Sequence, residues 1–109
     1  GSSSQASLGR SLKQASVVAV ASMESVRQRL MAGELEAFAT NKGILFELNA
    51  RLTGFKVLED RWGLENLAIA VPKGRSEAMP FLNAFALEQQ QSGNTSTFAQ
   101  RAGLRGLAR

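Results

Sequence analysis

The sequence predicts an α/β fold, a doubly wound mixed sheet with helices on both faces. Three observations predict it. The apolar pattern switches repeatedly between a helical period and strand-like runs, the turns between them are short, and Val17-Val18-Ala19-Val20-Ala21 is apolar on both faces, as a strand covered on both sides must be. Strands and helices alternating through short turns imply right-handed crossovers and a parallel or mixed sheet.

Ser2, Ser3 and Ser4 offer capping hydroxyls ahead of Leu8, Leu12 and Ala15, so residues from about 4 to 15 read as a helix. The apolar run Val17–Ala21 follows as the first strand. Ser22 can cap the next helix, whose Met23, Val26 and Leu30 form one stripe while Glu24, Arg27 and Gln28 face water, and Gly33 sits where a helix stops. Leu35, Ala37 and Ala39 alternate with Glu36 and Phe38, which predicts a second strand. Thr40 or Asn41 then caps a helix carrying Ile44, Leu45, Leu48 and Leu52, ended by Gly54. Phe55–Leu58 is a short strand candidate, 60–63 a loop, and Leu64–Val71 a strand closed by Pro72-Lys73-Gly74. The helical period returns with Phe81, Leu82 and Phe85, for which Pro80 must lie near the helix start. Ser92-Gly93-Asn94 breaks to a last helix around Phe98, Ala99 and Ala102, and residues 103–109 read as a frayed end. The chain opens on a helix cap, whereas the first helix of such a fold follows a strand, so a strand is expected upstream.

A chain of 109 residues is one domain's worth of protein. Its 44% hydrophobic and 20% charged content, with a mean hydropathy of -0.10, is that of a chain that folds. With no Cys, no His and no Tyr, thiol chemistry, imidazole acid/base catalysis and the usual zinc and copper ligands are absent. Only one of the nine acids, Asp60, is an aspartate. These counts argue against an enzyme, and no cofactor is expected. The net charge of +4 invites a nucleic-acid reading, yet Lys and Arg are interleaved with Glu, and the only one-sided stretch is the tail with Arg101, Arg105 and Arg109. No signal peptide opens the chain, and its longest pure apolar runs are too short to span a bilayer.

Gly1-Ser2-Ser3-Ser4 ahead of a helix is an anion cradle in outline, because backbone amides, hydroxyls and the positive end of the helix dipole converge there. A flexible terminus or an added linker has the same composition. Pro72-Lys73-Gly74-Arg75 lacks P-loop spacing and reads as a basic surface turn. Phe81 and Phe85 read as core packing and Trp62 as a plug at the end of the sheet. Glu34 and Glu36 have no partner acid that would make them a glycosidase pair.

In order and spacing these pieces resemble a known family. Gly-Ser-Ser opening a helix, an apolar strand, a helix ending in Leu30-Met31-Ala32-Gly33, and Leu35-Glu36-Ala37-Phe38-Ala39-Thr40-Asn41 resemble the second lobe of the amino-acid-type (family 3) periplasmic solute-binding proteins of ABC transporters. Leu67-Ala68-Ile69-Ala70-Val71-Pro72-Lys73-Gly74 resembles that family's strand returning from the second lobe. Ser92-Gly93 with Arg101-Ala102-Gly103-Leu104-Arg105-Gly106 resembles its C-terminal helices. The likeness covers nearly the whole chain.

The resemblance implies a periplasmic-binding-protein-like (type II) lobe over residues 1–74, with residues 75–109 as C-terminal helices returning to a first lobe that this chain does not contain. It implies a ligand site at Gly1, Ser2 and Ser3, where the family's Gly-Ser/Thr-Ser/Thr turn grips the ligand carboxylate, and at Asn41, where the family's final Asp pairs the ligand ammonium. Asn41 is neutral, which leaves room for a carboxylate ligand carrying a hydroxyl, keto or amide group. The implied role is capture of a small polar solute such as an amino acid or related organic acid in the periplasm, by hinge closure of two lobes, for delivery to a membrane permease. Without the first lobe, solute binding should be weak and the fragment should self-associate through its open sheet edge or its C-terminal helices. The alternative is a small interaction or nucleic-acid-binding module using the arginines of the tail.

Overall fold

A computed structural model of the chain describes residues 2–108. It divides into two compact units, Gly1–Asp60 and Arg61–Arg109. Every regular element among the described residues is helical: α1 (Ser3–Ser11), α2 (Met23–Met31) and α3 (Lys42–Asn49) in the first unit, then α4 (Met79–Gln91) and α5 (Asn94–Arg101) in the second. A 3₁₀ turn over Ser76–Ala78 leads into α4.

The helices form where local chemistry closes their ends. Ser2, Ser22 and Asn41 cap α1, α2 and α3, their side-chain oxygens accepting from the amides of Gln5, Ser25 and Ile44 at 3.1 Å each. α2 ends in a paired closure: the Gly33 amide donates to the Leu30 carbonyl and the Glu34 amide to the Arg29 carbonyl, with Gly33 at φ 73°. α5 ends the same way, with Gly103 donating to Gln100 and Leu104 to Ala99. α1 is shorter than the apolar spacing predicts. Ser11 Oγ donates back to the Ser7 carbonyl, a local bond that competes with helix, and the chain is extended by Leu12.

The core of the first unit is small. Val26 and Leu30 of α2 and Leu48 of α3 are buried, and Val20, Leu35, Phe38 and Leu52 pack against them. Lys42 Nζ donates to the Glu59 carbonyl at 2.6 Å, tying the start of α3 to the end of the unit. In the second unit α4 packs on α5 across the two-residue turn Ser92-Gly93, and Ala99 is its buried residue. Pro80 sits in the first turn of α4, where its fixed φ is compatible with helix.

The expected α/β class, a type II lobe with a doubly wound mixed sheet, is corrected by this architecture: no strand and no sheet occurs among the described residues. The expected strand segments fail in different ways. Residues 35–39 do not alternate. Leu35 and Phe38 turn onto the core while Ala37 and Ala39 are exposed, because two large side chains three residues apart bury more apolar surface than alternating alanines would. Residues 16–20, 55–58 and 64–71 run without helix, turn or bend but also without a ladder partner. Val18 is 52% exposed, Leu58 66% and Leu67 86%. A strand is stabilised by its neighbours, and the apolar signal that marks one in sequence supplies no neighbour. The ring pair expected in the core is also outside it: Phe81 and Phe85 stack at 6.5 Å on an exposed face of α4, at helical spacing i,i+4. Trp62, expected as a plug, is half exposed.

Candidate functional site

Two features of the first unit bear on ligand binding. The first is the N-terminus of α1. Gly1 lies outside the described residues. Ser2 Oγ accepts from the Gln5 amide, which leaves its hydroxyl proton to donate. Ser3 is exposed and Ser4 buried. Among the described residues the Ser3 and Ser4 amides have no hydrogen-bond partner, as first-turn amides do not, and the helix dipole adds positive potential there. No acidic residue stands in that first turn to occupy it.

Asn41 stands at the start of a different helix. Its Oδ1 accepts from the Ile44 amide and caps α3. The Ser2 and Asn41 side chains thus each cap a different helix. For Asn41 the cap is the role that the geometry displays, one an aspartate would fill equally well.

The second feature was not legible in the sequence. α2 and α3 border a half-open groove of about 330 Å³. Met23, Ile44 and Leu48 give it an apolar floor, and Glu24, Arg27, Glu47 and Arg51 rim it. The rim charges are already paired within their helices. Arg27 Nη2 lies 2.6 Å from Glu24 Oε1, Gln28 Nε2 donates to the same oxygen at 3.0 Å, and Arg51 Nη2 lies 3.9 Å from Glu47 Oε1. The hydrogen bond from Arg27 holds the Glu24 carboxyl below its usual range, and the same contact raises the Arg27 guanidinium. The i,i+3 and i,i+4 charge spacings could have located these pairs, but not the floor between them, because which helices pack together is not written in either one.

The other chemistry considered from sequence remains dispersed. No cluster of three potential metal-ligating side chains occurs among the described residues. Arg101 lies in the last turn of α5, Arg105 follows it, and Arg109 is outside the described residues. No helix among the described residues is long and apolar enough to cross a membrane. Comparison with protein-family models, with curated proteins and with solved structures finds no match.

Proposed function

We propose that this chain contributes to capture of a small polar, carboxylate-bearing solute, as part of the solute-binding component of an ABC transporter that hands its ligand to a membrane permease in the periplasm. The observation that carries the reading is the open first turn of α1. Among the described residues the Ser3 amide has no hydrogen-bond partner, and it stands with the Ser2 hydroxyl and the exposed Ser3 in the first turn of a nine-residue helix, at its positive end. Ser2 and Ser3 are, with Gly1, the residues at which the motif order of the sequence, read by resemblance, puts a carboxylate grip. A carboxylate there accepts charge-assisted hydrogen bonds, and no side-chain cation is needed. The role has no step that makes or breaks a covalent bond.

Asn41 belongs to the same proposal as a neutral contact. Its Oδ1 is engaged by the Ile44 amide, and an amide gains nothing from a positively charged ligand group. Hydroxy and keto acids should therefore bind as well as α-amino acids.

An amide-resolved NMR titration with sodium lactate, pyruvate and alanine tests this. Saturable shifts at the start of α1 and at Asn41 are expected, with dissociation constants of about 1 to 10 mM, since a site without further walls supplies only roughly 3 to 4 kcal/mol. Ser3→Pro removes one amide donor at a position where proline is compatible with helix, so it should weaken binding while leaving the circular dichroism of the chain unchanged. Absence of any saturable shift in that range, or full binding by Ser3→Pro, overturns the proposal.

A further inference from the structure

The segment Leu64–Val71 leaves several large apolar side chains uncovered. Leu64 is 71% exposed, Leu67 86% and Ile69 56%, and the backbone groups of Leu67–Val71 have no protein hydrogen-bond partner among the described residues. The segment runs without helix, turn or bend, and is followed by a tight turn in which the Arg75 amide donates to the Pro72 carbonyl and Gly74 sits at φ 85°. Such a segment is a strand in want of a partner, and its own charge pattern says which.

From these positions we infer that Leu67–Val71 pairs antiparallel with the same segment of a second copy of this chain, centred on Ile69. Three features fix the register. With Ile69 opposite Ile69, Leu67 faces Val71, and Glu65 of each copy faces Lys73 of the other, giving two cross-strand ion pairs at the two ends of the ribbon. A parallel in-register pairing would set Glu65 against Glu65 and Lys73 against Lys73. An antiparallel slip of two residues toward Lys73 would set that lysine against Leu67.

Proline supplies the third feature. If Ile69 occupies a hydrogen-bonded pair, the alternation of an antiparallel ladder puts Pro72 opposite Asn66 at a non-hydrogen-bonded position, where no N–H is required. The odd-numbered residues Leu67, Ile69 and Val71 then share one face of the ribbon, and Ala68 and Ala70 the other. The contact is isologous and closes on itself, so it forms a dimer rather than a filament. The ribbon is not the doubly wound sheet expected from sequence: it has two strands, both from the same residues, and it forms only between copies. It also stands on a different segment from the carboxylate site, so either proposal can fail alone.

A two-stranded contact is small, and the dimer should be weak, with a dissociation constant of about 0.1 to 1 mM. Sedimentation velocity across that concentration range, on the intact chain, should show a monomer–dimer equilibrium and no larger species. Glu65→Lys and Lys73→Glu should each weaken the dimer by about tenfold by replacing two attractive pairs with two repulsive ones, and the double reversal should restore it. Ile69→Pro should abolish it, and because the segment is exposed the helical content should be unchanged. Hydrogen exchange supplies the register: at high concentration the amides of Leu67, Ile69 and Val71 should be protected and those of Ala68 and Ala70 should not. A chain that stays monomeric at millimolar concentration overturns the inference. So does a dimer that survives Ile69→Pro, which would lie elsewhere, or one that ignores the single reversals or is not rescued by the double.

Discussion

Val26→Ala is the most direct probe of the helical first unit. Val26 is 2% exposed and central to the cluster with Leu30 and Leu48. Removing two methyl groups forfeits about 1.6 kcal/mol of transfer energy, and the cavity left between α2 and α3 brings the loss to about 2 to 3 kcal/mol. A unit that ends at Asp60 carries total stability of roughly 3 to 9 kcal/mol, and one with three large buried apolar side chains belongs at the low end. The substitution should therefore lower the melting temperature of the unit by about 10 °C or unfold it outright. Urea titration followed by far-ultraviolet circular dichroism, at low micromolar concentration well below the proposed dimer dissociation constant, measures it. The control is Leu67→Ala, at 86% exposure, which should change stability by less than about 0.5 kcal/mol. In a sheet with helices on both faces the two losses would be comparable, since Leu67 would sit in a covered strand. A Leu67→Ala loss equal to that of Val26→Ala would refute the reasoning.

Gly93 ends α4 and begins α5 at φ 75°, and an added Cβ meets nothing within 4 Å, so Gly93→Ala should cost about 1 to 2 kcal/mol through backbone conformation alone; thermal unfolding should register this as a loss in the second unit, with Gly93→Asn recovering part of it. Glu24 has its carboxyl lowered from 4.5 by the bond from Arg27, so its contribution to α2 is present at neutral pH and lost as pH falls through that lowered value. The difference in helicity between the parent chain and Glu24→Gln should thus be constant from neutral pH down to about 4.5 and shrink below it, and a difference that grows on acidification would contradict the sign.

Several helix ends were legible from local chemistry, although α1 stops at Ser11 rather than about 15 and α3 at Asn49 rather than at Gly54. A hydroxyl or amide one residue ahead of an apolar stripe satisfies an orphan amide within four residues, and a glycine just past the stripe accepts a left-handed conformation, so Ser22, Gly33 and Gly93 could be assigned without tertiary knowledge, and the third cap narrowed to Thr40 or Asn41. The Pro72–Gly74 turn was legible on the same ground. What was not legible depends on partners. Alternation at 35–39 looked like a strand, but in Leu35-Glu36-Ala37-Phe38-Ala39 side-chain size overrides period, and the bulky pair at spacing three is the one buried. Likewise the serines and Asn41 were open to assignment as caps or as ligand contacts, and the resemblance favoured the latter. The structure displays Ser2, Ser22 and Asn41 alike as caps, each satisfying one first-turn amide of its helix.

The uncovered runs show why the same residues support an α/β reading in sequence and a helical one in structure. Burying a leucine or isoleucine is worth about 1.5 to 3 kcal/mol, so Leu64, Leu67 and Ile69 together forgo several kcal/mol by remaining exposed. Helices recover their backbone hydrogen bonds from within and need only one stripe covered; a strand must find both its ladder and its cover elsewhere in the chain or on another molecule. Leu67, Ile69 and Val71 fall on one face of an extended chain and Ala68 and Ala70 on the other, with Glu65 and Lys73 equidistant from Ile69. That symmetry about Ile69 has no bearing on a strand buried between two unlike neighbours, where cover alone would suffice. It matters only where the segment meets itself, which is why charge reversal at Glu65 and Lys73, rather than any change to the apolar residues, separates self-pairing from simple hydrophobic adhesion.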